Sequence, residues 1–359
     1  MKIRSVQTYF LNASCGKLVS DYARTLDSIE LTVVKVQTDE GIEGTGYTYT
    51  LRGGEGVKAI IDKELSKIVV DRNPLEIEDI WNEMCKSTDA RTHGGTVSNA
   101  IAAVDIALWD IMGKVEGKPL YKLLGGRRNK VPIYDTDSGW LHYKPKELAK
   151  NALMLLEKGF KGFKIKVGKK NLEEDVERIK AVRDAVGDKL TLMVDANQAF
   201  TVQEAIRRGK AYERYNIYWF EEPTVDGDLN DYMEIASALS MPIATGEWIY
   251  HLDIFQKLIQ KKAADIIQPD VCRVKGITEW IKIAEYAENH GIPVAPHFNM
   301  ELHVHLVCAF QNGLTVEHMP WLAYLLKNPL TIKEGYALAP EIHGHGIEFK
   351  EEFIKSSIR

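Results

Sequence analysis

Seven ionisable residues recur at near-regular intervals through the second half of this sequence: Lys166, Asp195, Glu221, Glu247, Asp270, His297 and Glu317. The gaps between them are 29, 26, 26, 23, 27 and 20 residues. Each gap is close to one strand-plus-helix unit, so one chemical group falls at the same point of each successive unit. Asp195 in VDAN, Glu221 in FEEP and Glu247 in TGE place carboxylates at the ends of three consecutive strands. Three carboxylates converging in a low-dielectric site repel one another, and a hard divalent cation offsets that cost. All-oxygen ligation with room for water and substrate suits Mg2+ better than zinc. Lys164 and Lys166 lie two apart, so on a strand they face the same way. Two ammonium groups beside a metal are expected to lower a lysine pKa toward the range useful for a base. Asp270 and His297 end neighbouring strands. A carboxylate on one imidazole nitrogen fixes the tautomer and raises basicity, leaving the other nitrogen to exchange protons. Lys166 and His297 then stand on strands two and seven, on opposite sides of one mouth. Asn197 and Gln198 follow Asp195 and are placed to reach metal or substrate, whereas His303 and His305 read as structural residues opening a helix.

The elements that must position these groups are legible in the same stretch. From residue 131, short apolar runs alternate with amphipathic helical stretches, the pattern of a parallel sheet built of βα units. The runs are VPIYDT, GFKIKVG, LTLMVDAN, IYWFEEP, MPIATGE, ADIIQPD, IPVAPHF and LTVEHM. Eight strands with seven intervening helical stretches predict a closed α/β barrel with its chemistry at the C-terminal rim, and no clear eighth helix follows LTVEHM. Upstream, IRSVQTYFL, IELTVVKVQTD and GIEGTGYTYT read as strands, the last two joined by a turn at Asp39, Glu40 and Gly41. GIEGTG is not a phosphate-binding GxGxxG and reads as a turn. Residues 55–125 read as helices, VSNAIAAVDIALWDIMGKVEG being the clearest. The division expected is an α+β domain over 1–128, completed by 330–359, with the barrel over 129–329.

Composition excludes several classes. The chain has 359 residues, 45% hydrophobic and 27% charged, with a net charge of -5, which argues against nucleic acid as a partner. No apolar stretch approaches the roughly 20 residues that cross a bilayer, and no signal-like apolar block opens the chain, so a cytoplasmic protein is expected. Cys15, Cys85, Cys272 and Cys308 form no CxxC pair and read as reduced, mostly buried thiols. No Walker A, GxSxG or HExxH motif occurs.

On the ordered motifs KIK at Lys164 to Lys166, VDAN at Asp195, EEP at Glu221, GE at Glu247, QPD at Asp270, PH at His297 and VEH at Glu317, the sequence resembles the mandelate racemase-like subgroup of the enolase superfamily. HFNMELHVHL looks like the corresponding segment of galactarate and talarate dehydratases, while GTGYTYT and EEPT look equally like sugar-acid cycloisomerases. The resemblance implies a (β/α)7β TIM-like barrel under an N-terminal α+β capping domain, and a homo-oligomer, often an octamer. It implies Asp195, Glu221 and Glu247 as magnesium ligands, Lys166 as a base on one face and the Asp270–His297 dyad on the other. Lys164 and Glu317 are expected at the substrate carboxylate, Glu317 as a hydrogen-bonding acid. Asp21, Tyr22, Arg24, Tyr47, Tyr49 and Arg52 are the candidate substrate contacts from the cap, their polarity suiting a polyhydroxylated acid better than an aryl one. The reaction implied is proton abstraction alpha to a carboxylate through an enediolate, with dehydration of an acid sugar to a 2-keto-3-deoxy acid as the leading outcome. Racemisation or epimerisation of a 2-hydroxy acid and cycloisomerisation share that first step. A catalytically silent barrel that only binds is the contrasting class.

Overall fold

The computed structural model describes residues 1–89, 94–225 and 228–356. The chain opens with a three-stranded antiparallel sheet, β1 (Ile3–Ser20), β2 (Thr25–Thr38) and β3 (Glu43–Thr50), in that order. Helices follow at Gly54–Ile60, Ser66–Val69, Ile77–Ser87 and Thr96–Val115. The Thr96–Val115 helix lies against β3. A Cβ on Gly44 would meet the Ala107 carbonyl oxygen at 2.2 Å, and one on Gly46 the Ala103 carbonyl oxygen at 1.9 Å. The glycines of GIEGTG therefore serve close strand-to-helix packing as well as the turn before them. A core of Val34, Val36, Ile80, Met84, Ala103 and Ala107, among others, fills this cap.

Next comes the barrel. Its strands are β4 (Lys130–Asp135), β5 (Gly162–Lys166), β6 (Thr191–Asp195), β7 (Ile217–Glu221), β8 (Ile243–Thr245), β9 (Ile266–Ile267) and β10 (Val316–His318). Neighbours from β4 to β9 pair in parallel, and β10 pairs with β4. The gap between β9 and β10 is spanned at Val294, which bridges Ile267 on one side and Gly313 on the other. The seventh strand expected over IPVAPHF is thus short, bonded to its neighbours only from Pro293 to Ala295. Pro293 opens it and Pro296 follows it, and a proline has no N–H to give to a ladder. Seven helices alternate with these strands among the described residues; after β10 come a 3-10 turn at Ala323–Leu325 and, much later, a short helix at Glu351–Ser356 rather than an eighth barrel helix.

The hairpin β11 (Thr331–Lys333) and β12 (Tyr336–Leu338) pairs antiparallel with β4, from Tyr336 opposite Pro132 to Leu338 opposite Lys130. Only the later part of the tail reaches the cap. There the His345 ring bonds the Thr45 carbonyl at 2.7 Å and Phe349 packs edge-on to Tyr47. The described part, 330–356, of the segment expected to complete the cap over 330–359 is therefore divided between the two domains.

Strand alternation builds the interior. Tyr134, Met193, Trp219, Ala244, Ile266 and Ala295 form an apolar cluster inside the barrel. Two residues further along, on the same face of their strands, stand Asp195, Glu221 and His297. Phe163 and Ile165 point outward into the main core, so Lys164 and Lys166 point inward.

Candidate active site

The inward-facing groups form one buried charge cluster. Lys164 is completely buried, with its Nζ 2.5 Å from Glu221 Oε1, 2.8 Å from Glu317 Oε1 and 3.4 Å from Asp195 Oδ2. Lys166 Nζ bonds Asp195 Oδ2. Ligand atoms of Asp195, Glu221 and Glu247 all lie within 4.8 Å of one another. Trp219 Nε1 and Gln268 Nε2 donate to Glu221 Oε2 at 3.0 and 2.7 Å. Arg273 donates to the Glu247 carbonyl at 2.5 Å and stacks over the Trp248 ring at 3.8 Å.

Five carboxylates (Asp195, Glu221, Glu247, Asp270 and Glu317) thus share a buried cluster with three fixed cations, Lys164, Lys166 and Arg273. With all five ionised, the excess would be two negative charges. Its cost is visible in Glu221, which burial and then the Asp195 charge push up to about 8. Asp195 goes the other way. Burial opposes its ionisation, but Lys166 and Lys164 hold it below the usual carboxylate range. Glu247 Oε2 is buried without a hydrogen-bond partner, 3.4 Å from His297 Nε2. An all-oxygen triad, an excess of carboxylates over cations and an orphaned carboxylate oxygen fit a hard divalent cation.

Among the protein's own groups alone, both lysines are shifted up. Burial disfavours both ammonium groups, yet the facing carboxylates outweigh it. Lys166 is raised, chiefly by Asp195, and Lys164 is raised well above its ordinary value, chiefly by Glu221 and Glu317. The lysines repel each other less than the carboxylates attract them.

On the far side, His297 Nδ1 lies 2.8 Å from Asp270 Oδ2. Burial would raise Asp270, but its hydrogen bond to His297 and the imidazole charge lower it to about 2. An ionised Asp270 only accepts, so Nδ1 carries the proton and Nε2 faces Glu247. His303 holds the same turn, its Nε2 accepting from the Val271 N–H at 3.2 Å while Nδ1 meets the Phe298 carbonyl at 2.8 Å. Burial lowers its pKa to about 4, so it is a neutral structural residue.

One pocket lies between these halves. Lys166, Asn197, Glu247 and His297 line it, with Asp21 and Arg24 from the cap loop and Tyr49 from β3. Trp140, Trp248, Phe298 and Trp321 supply aromatic walls. Asn197 Oδ1 is buried without a partner, and its φ of +44° turns the chain sharply after Asp195. Asp21 Oδ1 accepts from the Ala23 and Arg24 N–H groups and so shapes the cap loop.

Several expected contacts lie elsewhere. Tyr47 is fully buried, one pleat further from the mouth than Tyr49, and stays outside the pocket. Tyr22 is 54% exposed, with its side chain beside Gly168 rather than in the pocket. Arg52 is exposed and lines a neighbouring cleft with Thr96 and Tyr250. Lys164 and Glu317 lie beneath the pocket, outside its lining. Glu317 accepts from the Phe298 N–H, the Thr136 hydroxyl and Lys164. Burial opposes its ionisation, but Lys164 brings it down to about 2. Sequence reasoning passed over Arg273, Trp248, Trp140 and Trp321. Trp248 follows TGE directly and Arg273 comes three residues after the Asp270 of QPD, which was the available signal.

Two family models cover nearly all of this architecture. Residues 21–125 match the mandelate racemase / muconate lactonizing enzyme N-terminal domain, and residues 147–353 match the enolase C-terminal domain-like family. The chain belongs to the enolase superfamily. Within it, the chain is similar to the L-talarate/galactarate dehydratase of Salmonella typhimurium, at 37% identity over 340 residues, covering 94% of this chain and 85% of that protein. It is also similar to the 3,6-anhydro-alpha-L-galactonate cycloisomerase of Streptomyces coelicolor, at 35% identity over 320 residues, 89% of this chain and 88% of that one. The crystal structure of the Salmonella typhimurium dehydratase liganded with Mg and L-lyxarohydroxamate superposes with a TM-score of 0.94 at 35% identity, covering 99% of this chain and 92% of that chain. The chain thus has the superfamily's capped barrel, and its carboxylate triad sits in that frame.

Proposed function

We propose that this chain is a magnesium-dependent lyase that removes water from an acid sugar, giving a 2-keto-3-deoxy acid. One observation carries the reading: a pocket bounded on one side by Lys166 and on the other by the Asp270–His297 pair, beside a carboxylate triad that fits a divalent cation. Asp195, Glu221 and Glu247 would hold magnesium, which when bound neutralises the charge developing on the substrate carboxylate as the alpha proton leaves. In the closed ring of strands, four lie between Lys166 and His297 on one side and two on the other. An alpha carbon in the pocket therefore meets the two groups on different faces. One group takes the alpha proton, and the other delivers a proton to the departing beta-hydroxyl. Lys164 holds Glu221 and Glu317 in place below, and Asn197 offers its free Oδ1 to a substrate hydroxyl. The aromatic walls take the carbon-bound faces of the sugar chain, while Asp21 and Arg24 meet its far end.

The dehydratase relative supports elimination. The cycloisomerase relative, at similar identity, supports a second outcome, in which a ring oxygen rather than a hydroxyl leaves from the same intermediate. Reprotonation from the opposite face would give a racemase or epimerase. No described helix is long and apolar enough to cross a membrane, which supports our placing the enzyme in the cytoplasm. We infer a homo-oligomer from the family resemblance and from apolar side chains left exposed at the β1–β2 ribbon tip, Leu18 and Tyr22; sizing in solution tests this.

The deciding experiment is a screen of mono- and diacid sugars for 2-keto acid formation with magnesium present. EDTA should abolish the activity and added magnesium restore it. A protein that binds magnesium yet neither forms a keto acid nor exchanges any alpha proton would be a binding protein, and full turnover in chelator would remove the metal from the reaction.

A further inference from the structure

Asp270 is satisfied from two domains. Its Oδ1 accepts from the Cys272 N–H at 2.8 Å and from Asn299 Nδ2 at 3.0 Å. Its Oδ2 accepts from His297 Nδ1 at 2.8 Å and from the Tyr49 phenol at 2.7 Å. A carboxylate offers about four acceptor directions, so these four donors fill it. Three of them come from the barrel. The fourth, Tyr49, comes from β3 of the cap, 221 residues away in the chain.

Tyr49 is itself held firmly. Asn99, on the Thr96–Val115 helix, donates to the Tyr49 carbonyl at 3.1 Å and to the Thr48 hydroxyl at 3.0 Å. The ring meets Phe298 edge-on, with centroids 4.8 Å apart, and the Arg273 guanidinium lies 5.6 Å from its centroid. The phenol oxygen is also 3.4 Å from His297 Nδ1, so carboxylate, imidazole and phenol form a closed triangle. The phenol fills the acceptor direction on Oδ2 that the imidazole leaves, and so limits where the imidazole N–H can lie.

We propose that Tyr49 is a positioning residue: acting through Asp270, it fixes the His297 imidazole, so the cap sets the geometry of one face of the site and leaves the Lys166 face to the barrel. The inference rests on the two-faced reading above.

The test follows alpha-deuterium incorporation in D2O with magnesium, using acid sugars of both alpha configurations. Lys166→Ala and His297→Asn first assign which configuration each group serves. Tyr49→Phe removes only the phenol oxygen. It should slow exchange at the His297-served configuration by roughly tenfold to a hundredfold, the scale of a lost hydrogen bond to a charged group. Exchange at the Lys166-served configuration and KM should stay within about twofold, the scatter of a change that leaves the other face untouched. In an Asp270→Asn background, the same tyrosine change should have little further effect. Equal slowing at both configurations, no slowing at either, or an undiminished effect without Asp270 would each overturn the inference while leaving the two-faced reading in place. A wild-type enzyme that exchanges neither configuration would overturn both.

Discussion

Substrate choice should turn on Arg24. Its guanidinium lines the pocket from the cap loop, 5.0 Å above the Trp248 ring. Its Nε stands 3.8 Å from Asp21 Oδ2, a loose pair that a substrate carboxylate can displace. A guanidinium grips a carboxylate bidentately, so Arg24 favours sugars that carry an acid at both ends. The magnitude follows from its setting. Two unit charges about 4 Å apart interact by about 4 kcal/mol at an effective dielectric of 20, whereas a fully exposed pair contributes about 0–1 kcal/mol. The Arg24 side chain is 31% exposed and backed by an indole face. We therefore expect about 1.5–3 kcal/mol, the range for hydrogen bonds to charged groups. Arg24→Met keeps the length and removes the charge. It should lower kcat/KM for diacid sugars by roughly 10- to 100-fold, with monoacids changed by only about threefold or less. Arg52→Met is the control, because Arg52 is exposed and faces the neighbouring cleft. Steady-state kinetics on matched mono- and diacids decides the matter. An unchanged ranking in Arg24→Met, or a ranking shifted by Arg52→Met, would refute the argument.

The other predictions concern the two faces and the domain junction. Lys166→Ala and His297→Asn should each lower turnover by about 10²–10⁴, the range for general acid–base catalysis, while each variant still exchanges the alpha proton of one configuration; if both served the same configuration equally well, the two-faced site would be wrong. Asp105 is a pH probe of the junction, since burial pushes its carboxyl up to about 7 against the lowering effect of its Thr278 hydrogen bonds. A carboxyl raised on folding lends stability that is full below its unfolded value near 3.8 and is lost as pH rises through about 7. From pH 5 to 7 the loss should be about 2–3 kcal/mol. The stability difference between wild type and Asp105→Asn, from urea unfolding, should shrink by that amount across the interval, and a constant difference would rule out the linkage.

How much of this was legible in sequence divides along physical lines. The barrel rim was legible because a parallel strand ends at a fixed place, so strand-end residues such as Asp195, Glu221 and Glu247 advertise their position by period alone. The seventh strand was legible as the apolar run around Val294, but its two prolines remove ladder donors and leave it paired over only Pro293 to Ala295. Strand alternation puts Tyr47 and Tyr49 on one face but does not say how far along that face the pocket begins. The two side chains therefore have opposite fates, one against Phe349 and the other against Asp270. Arg52 and Tyr22 failed for a related reason: polarity in a loop is equally consistent with solvent. The sequence shows that two lysines share a strand face, but not that Asp195, Glu221 and Glu317 all lie against Lys164.

The junction explains why neither domain is a complete site. The segment from Val271 to Trp280 is buried throughout, directly after Asp270 and including Arg273. The cap holds it along its length. Trp81 Nε1 donates to the Lys275 carbonyl at 2.9 Å, Trp109 Nε1 to the Thr278 hydroxyl at 3.0 Å, and Asp105 accepts from the Thr278 N–H at 3.0 Å. Gly276, at φ +99°, leaves no room for a side chain, since a Cβ there would meet Asp105 Oδ2 at 2.4 Å. Asp105 thereby caps the first turn of the Ile277–Asn289 helix from the other domain. At the near end of the same segment, Tyr49 closes on Asp270. The Lys166 side is built differently. Lys166 sits on β5, in register with Asp195 on β6, so the regular sheet positions it. One face of the pocket is thus set by barrel hydrogen bonding and the other by cap side chains gripping a loop. A change confined to the cap should therefore disturb the histidine face first, because the loop that carries Asp270 has no barrel ladder of its own to fall back on.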